Sequence, residues 1–176
     1  MSTDLGASTM AVVIAIGIDP GTAACGFGVV RLESGTLALV DAGVVRTPAT
    51  APEPERLRQL HEALGRLLSE HRPDRIAVER LFFQRNVQSA MVVGQARGIA
   101  LLAASEWSVP IDEPTPNEVK QQVCGNGSAD KRQVSAMVQR LLGIKLDGVP
   151  DDATDALALA IGCAFRGAAE PRAVVG

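Results

Sequence analysis

Four carboxylates stand out by where they fall. Asp19 closes the apolar, β-branched run that begins at Val12, and the turn Pro20-Gly21 follows it. Glu79 closes a second such run, Ile76-Ala77-Val78. Asp152 and Asp155 stand three apart where an Ala-rich apolar stretch begins, a spacing that puts both on one face of a helix. A charge at the end of a buried strand, or at the edge of a buried helix face, is costly unless something neutralises it. No base lies near Asp19 in sequence; the next is Arg31. Carboxylates gathered without His or Cys are hard oxygen donors of the kind that suit Mg²⁺ or Mn²⁺. Two such ions in one site, about 4 Å apart, would stabilise the attacking water and the leaving oxygen of a phosphodiester displacement. Their charge would also let four acids meet a polyanion.

The remaining composition narrows the chemistry. The two histidines, His61 and His71, fall within or near one surface helix, so a His-based triad or metal site is not expected. Cys25, Cys124 and Cys163 are scattered with no C-x-x-C spacing, which supports neither a disulfide framework nor a zinc site. The 176 residues suit one domain with one core, and 47% hydrophobic with 21% charged residues is ordinary for a soluble globular protein. No apolar run reaches the roughly 18 residues of a membrane span, and the start lacks the features of a signal peptide, so a cytoplasmic protein with no membrane contact is expected. The net charge of −3 argues weakly against nucleic acid, although clustered metal-holding acids would depress the count without making the whole surface acidic.

Certain elements must position these acids. Residues 12–19, 26–32 and 37–46 read as three strands with short connections, an antiparallel meander. The glycines at 17, 21, 26 and 28 read as turn and bulge chemistry, because a dinucleotide-binding fingerprint would need a helix after the first strand. A helix over 55–71, with leucines at helical spacing, covers the sheet. Residues 74–79 form strand four. If it runs parallel beside strand one, Asp19 and Glu79 share the carboxyl edge where open α/β sheets bind ligands. A strongly apolar helix over 86–107, with small residues at 90, 94, 98, 103 and 104, reads as buried in the core or in a dimer interface. Strand five is 108–112. Thr115-Pro-Asn-Glu118 opens a helix over 116–124 with a capping box. A further helix begins near Ala129 and is capped by Gly143. The final helix opens with Asp151 as N-cap and ends at Gly167. Residues 1–10 read as a flexible leader, 11–167 as the single folded domain and 168–176 as a disordered tail.

Basic and aromatic residues flank the acids. Phe82 and Phe83 follow Glu79 directly, between Arg80 and Arg85. They either pack under the next helix or form a stacking platform for an unpaired base with a basic rim. Lys120 and Lys131 flank the Gly-rich turn 125–128 and are either solvated helix surface or a phosphate-gripping elbow.

Taken together, Gly17-Ile-Asp-Pro-Gly-Thr22, Ala77-Val-Glu-Arg-Leu-Phe82, Gly94-Gln-Ala-Arg-Gly98, Val119-Lys-Gln-Gln-Val123, Gly125-Asn-Gly-Ser-Ala-Asp-Lys131 and Asp152-Ala-Thr-Asp-Ala-Leu157 resemble the RuvC family of Holliday junction resolvases. The resemblance runs from about residue 13 to 166. It implies an α/β RNase H-like fold, with a five-stranded mixed sheet flanked by helices. It implies a homodimer that grips a four-way DNA junction and nicks two opposed strands symmetrically, leaving 5′-phosphate and 3′-hydroxyl ends. Asp19, Glu79, Asp152 and Asp155 are then the metal-binding catalytic carboxylates, serving two Mg²⁺ or Mn²⁺ ions. Lys120 and Lys131 become DNA contacts near the scissile phosphate, Phe82 the aromatic at the junction, and Arg85 part of its basic rim. The RuvA–RuvB motor is the implied partner. The competing readings are a non-catalytic junction-binding module of the same fold and an actin-like nucleotide-binding domain. The second would normally need a duplicated domain longer than this chain.

Overall fold

The computed structural model describes residues 12–80 and 87–170. A five-stranded sheet has the order β3-β2-β1-β4-β5. Strands β1 (Val13–Asp19), β2 (Ala24–Glu33) and β3 (Thr36–Arg46) form the expected antiparallel meander, and β4 (Arg75–Val78) and β5 (Ile111–Asp112) add in parallel. The helices are α1 (Glu53–His71), α2 (Val87–Glu106), α3 (Pro116–Cys124), α4 (Lys131–Leu142) and α5 (Asp151–Ala169).

Strand alternation divides the core. In β1, Ile16 and Ile18 face α1 and α2, whereas Val13 and Ala15 face α5. Helix α1 seals its face with Leu60, Leu64, Leu67 and Leu68, all buried; each such side chain contributes roughly 1.5–3 kcal/mol. Apart from Asp155, helix α5 is buried from Ala153 through Ala164 between the sheet and the pair α3–α4. Such burial on every side explains a helix that is apolar all round.

Of the glycines expected at turns and bulges, Gly21 does lie in the β1–β2 connection, but the other three do something else. Gly17 of β1 pairs with Gly28 of β2, and Asp19 pairs with Gly26. Together these three glycines make a floor without side chains. A Cβ at Gly17 would fall inside the carbonyl oxygen of Ala156, one at Gly26 inside that of Asp152, and one at Gly28 would lie 2.7 Å from the Leu157 nitrogen. Helix α5 therefore rests backbone-on-backbone on the two strands. Its other end is held by Arg75, which donates from Nε and Nη2 to buried Asp112 at 3.2 and 2.7 Å and from Nη1 to Glu170 at 2.6 Å.

Several boundaries move. Glu79 lies one residue past the end of β4, and β5 shrinks to two residues. Asp130, expected inside α4, is its N-cap and completes a capping box with Gln133. Asp151 is not the N-cap of α5: it is already the first helical residue, and the cap position is Pro150, whose ring carries no acceptor for a side-chain cap hydrogen bond. The exposed Asp151 carboxylate lies 3.2 Å from Lys131 Nζ. Gly167 does not end α5, which runs to Ala169; the stem of Arg75 fills the space above Gly167. The leader 1–10 lies outside the described residues, as does the tail beyond Glu170. No described helix is long and apolar enough to cross a membrane.

Gly17→Ala is expected to cost at least about 2–3 kcal/mol in urea unfolding, because a backbone atom occupies the space and cannot rotate away. Gly65→Ala in α1 serves as the contrast. No atom lies within 4 Å of its Cβ position, so it is expected to be neutral or stabilising by up to about 1 kcal/mol.

Candidate functional site

Strands β1 and β4 are parallel neighbours in which Ile18 pairs with Val78. The next position on each is Asp19 and Glu79. Ile18 and Val78 both point toward α1 and α2, so alternation turns the two carboxylates to the α5 side of the sheet. There they meet Asp155, one turn into α5, and the lysines of the neighbouring helices. Asp19, Glu79, Asp155, Lys120 and Lys131 line one cleft of about 230 Å³, walled by apolar groups of α3, α4 and α5. Five residues singled out in the sequence thus converge from five elements.

The other three do not join them in the same way. Asp152 is absent from the cleft lining; its main chain rests on Gly26, one turn before Asp155. Its charge still reaches Asp19. Phe82 and Arg85 lie outside the described residues.

The electrostatics follow from the crowding. Burial pushes the Asp19 carboxyl up to about 7, and the charges of Asp155, Glu79 and Asp152 push the same way against Lys131. Glu79 is also raised, first by burial and then by Asp155, with Lys120 opposing. Lys131 Nζ lies 3.2 Å from both Asp151 and Asp155. Its desolvation is outweighed by these two carboxylates, which raise its proton affinity. The cation paired with Asp155 thus comes from a separate helix, more than a hundred residues from Asp19.

The donor set fits a hard divalent ion chemically: three carboxylates, no imidazole or thiol, and mutual repulsion that a cation would relieve. Among the described residues no three His, Cys, Asp or Glu side chains stand as a ready-made ligand shell. The acids are close enough to raise one another's proton affinity, and Lys131 holds Asp155.

The turn after Asp19 is fixed from behind. Thr47 Oγ1 donates to the carbonyl of Thr22, and Arg56 Nε donates to Thr47 Oγ1 at 2.9 Å. Neither this brace nor the glycine floor was visible in residue chemistry. The only signal in the sequence was the recurrence of Gly at 17, 26 and 28 in strands otherwise rich in valine and isoleucine.

Comparison with known proteins identifies the arrangement. The family model described as "Crossover junction endodeoxyribonuclease RuvC" matches residues 15–163. The chain belongs to the RuvC family. The RuvC of Chloroflexus aggregans is 53% identical over 147 residues, covering 84% of this chain and 90% of the relative. That of Desulfitobacterium hafniense is 48% identical over 149 residues, covering 85% and 90%. Among solved structures, Thermus thermophilus RuvC in complex with a Holliday junction substrate superposes with a TM-score of 0.83 at 37% identity, covering 89% of this chain and 96% of that one. A second Thermus thermophilus RuvC structure gives 0.80 at 39% identity, covering 86% and 93%. The expected RNase H-like fold of RuvC is thereby borne out.

Because the Asp19 carboxylate is crowded, its charged form opposes folding increasingly as pH rises from the ordinary carboxylate range through about 7. Asp19→Asn removes that opposition. In EDTA the variant is expected to melt above the wild type at about pH 8, with a smaller difference at about pH 5. Scanning calorimetry at the two pH values checks both the sign and the trend.

Proposed function

We propose that this chain resolves four-way DNA junctions as a metal-dependent endonuclease, in recombination and repair. The observation that carries the reading is the convergence of three carboxylates and two lysines on one cleft at the carboxyl edge of the sheet. Family membership supports the same activity, and the junction complex of the Thermus thermophilus relative supports the substrate.

The roles follow from position. Asp19, Glu79 and Asp155 would hold Mg²⁺ or Mn²⁺, two ions per site, with Asp152 completing the set of acids. A divalent ion bound there supplies Lewis acidity toward water and toward the leaving oxygen. No hydroxyl, thiol or imidazole lines the cleft among the described residues, which favours water as the nucleophile; the resemblance to RuvC implies that the 3′-oxygen leaves, giving 5′-phosphate and 3′-hydroxyl ends. Lys120 and Lys131 bind the phosphate backbone beside the scissile bond, where their charge also offsets that of the acids. Phe82 and Arg85 are assigned to the unstacked base at the junction and its basic rim.

Two nicks related by two-fold symmetry require two copies. Helix α2 supplies a candidate interface. It buries Ala96, Ala100, Ala103 and Ala104 against the core and leaves Met91, Val92 and Leu102 exposed, at 63, 39 and 49%. The RuvA–RuvB motor and a cytoplasmic setting complete the proposal on family resemblance.

Nicking of a synthetic four-way junction in Mg²⁺ or Mn²⁺, against EDTA, tests the reading. Wild type is expected to place paired symmetric nicks only with metal. Asp19→Asn is expected to bind the junction and not cut, with a loss of at least about a thousandfold, of the order seen when a catalytic group that acts within a unit is removed. Binding without cleavage by the wild type in either metal would favour the non-catalytic module.

The interface has its own test. Leu102→Asp is expected to give a folded monomer in analytical ultracentrifugation that no longer makes paired nicks. A dimer that cleaves normally would remove α2 from the interface.

A further inference from the structure

Glu79 stands where the sheet stops holding the chain. The β4–β5 ladder ends at Ala77 with Asp112, and the β1–β4 ladder at Val78 with Ile18. The peptide unit joining Glu79 to Arg80 is nevertheless fixed through both of its polar groups. Its N–H, on Arg80, donates to the carbonyl of Pro114 at 2.8 Å. Its carbonyl, on Glu79, accepts from Arg97 Nε of α2 at 3.2 Å. The same guanidinium is ion-paired through Nη2 with Glu113, the residue before Pro114. Arg97 is 19% exposed and Glu113 41% exposed. A planar fork that binds a carbonyl and a carboxylate together leaves the arginine little freedom.

We propose that Arg97 is a positioning residue for Glu79: it closes a clamp between α2 and the segment after β5 that sets where the Glu79 carboxylate enters the cleft. This rests on the reading of Glu79 as a metal ligand. Among the described residues Arg97 is absent from the cleft lining, and its contact with Glu79 is to the main-chain carbonyl. Its effect passes through the main chain. Asp19 needs no such device, because it is still in the β1–β2 ladder, opposite Gly26. Arg97 belongs to the Gly94-Gln-Ala-Arg-Gly98 segment, for which an interface role is the sequence-based expectation; here its guanidinium is engaged within its own chain.

Arg97→Met keeps the length of the side chain and removes the fork. Single-turnover nicking of a four-way junction is expected to slow by about tenfold to a hundredfold, the penalty for displacing a catalytic group by about 1 Å. Junction affinity in EDTA and the melting temperature in EDTA are expected to match the wild type. The rise in melting temperature caused by Mg²⁺ alone is expected to shrink. A folded Arg97→Met that nicks at the wild-type rate, or that keeps the full Mg²⁺ shift, overturns the proposal. Should Arg97→Met fail to fold, Arg97→Lys decides: a single ammonium serves one partner of the two, so slower nicking with unchanged junction affinity supports the clamp and wild-type nicking refutes it. A wild type that shows the Mg²⁺ shift but does not nick refutes the endonuclease reading, and the shift then judges Arg97 by itself. A wild type with neither overturns both.

Discussion

The molecule depends on one close contact, the seat of α5 on the glycines of β1 and β2. A helix lying on ordinary strands is held about 10 Å from the sheet by two layers of side chains. With Gly17, Gly26 and Gly28 beneath it, the main chain of α5 meets the main chain of the sheet directly. That contact lowers Asp155 to the level of Asp19, so acids from a strand and a helix share one cleft. The same contact forces three like charges together. Burial and repulsion push Asp19 up to about 7, a cost in stability that the glycine seat and the apolar core must outweigh.

The rest of the architecture keeps this arrangement from relaxing. At the far end of α5, Arg75 grips buried Asp112 and Glu170, so the helix cannot slide along the sheet to separate its acids from Asp19. Behind Asp19, Thr47 and Arg56 brace the turn at Thr22. Across the cleft, two capping boxes and left-handed glycines at 125 and 143 fix α3 and α4, and with them the lysines. Most of the cleft's side chains therefore stand on regular elements, which hold them more precisely than loops do.

Most of the fold was legible because its signals are local. Two apolar runs ending in acids, a capping box at Thr115 and leucines at helical spacing each fix an element without reference to the rest. The strand-end acids were legible as a site for the same reason, since a buried charge without a neighbouring base demands a partner. The seat of α5 was not legible, because it is made of absent side chains, and glycine in a strand also signals turns and bulges. Local sequence favours Asp151 as a cap, but the helix begins one residue earlier, with Pro150 in the cap position, a one-residue shift that the capping preference of aspartate does not reveal. Arg97 was hidden for a different reason: its partner is a backbone carbonyl, which every residue carries and no sequence pattern marks.

Helix α2 joins two properties on one rod about 30 Å long, at 1.5 Å per residue. Met91 and Leu102 lie nearly in line on its outer side, and Arg97 sits about 120° round from them. From that second face Arg97 reaches the carbonyl of Glu79 at 3.2 Å. On the proposed reading, the helix that would meet a second copy is therefore also the helix that holds the peptide of one of the cleft's acids, and a single rod carries both tasks on different sides.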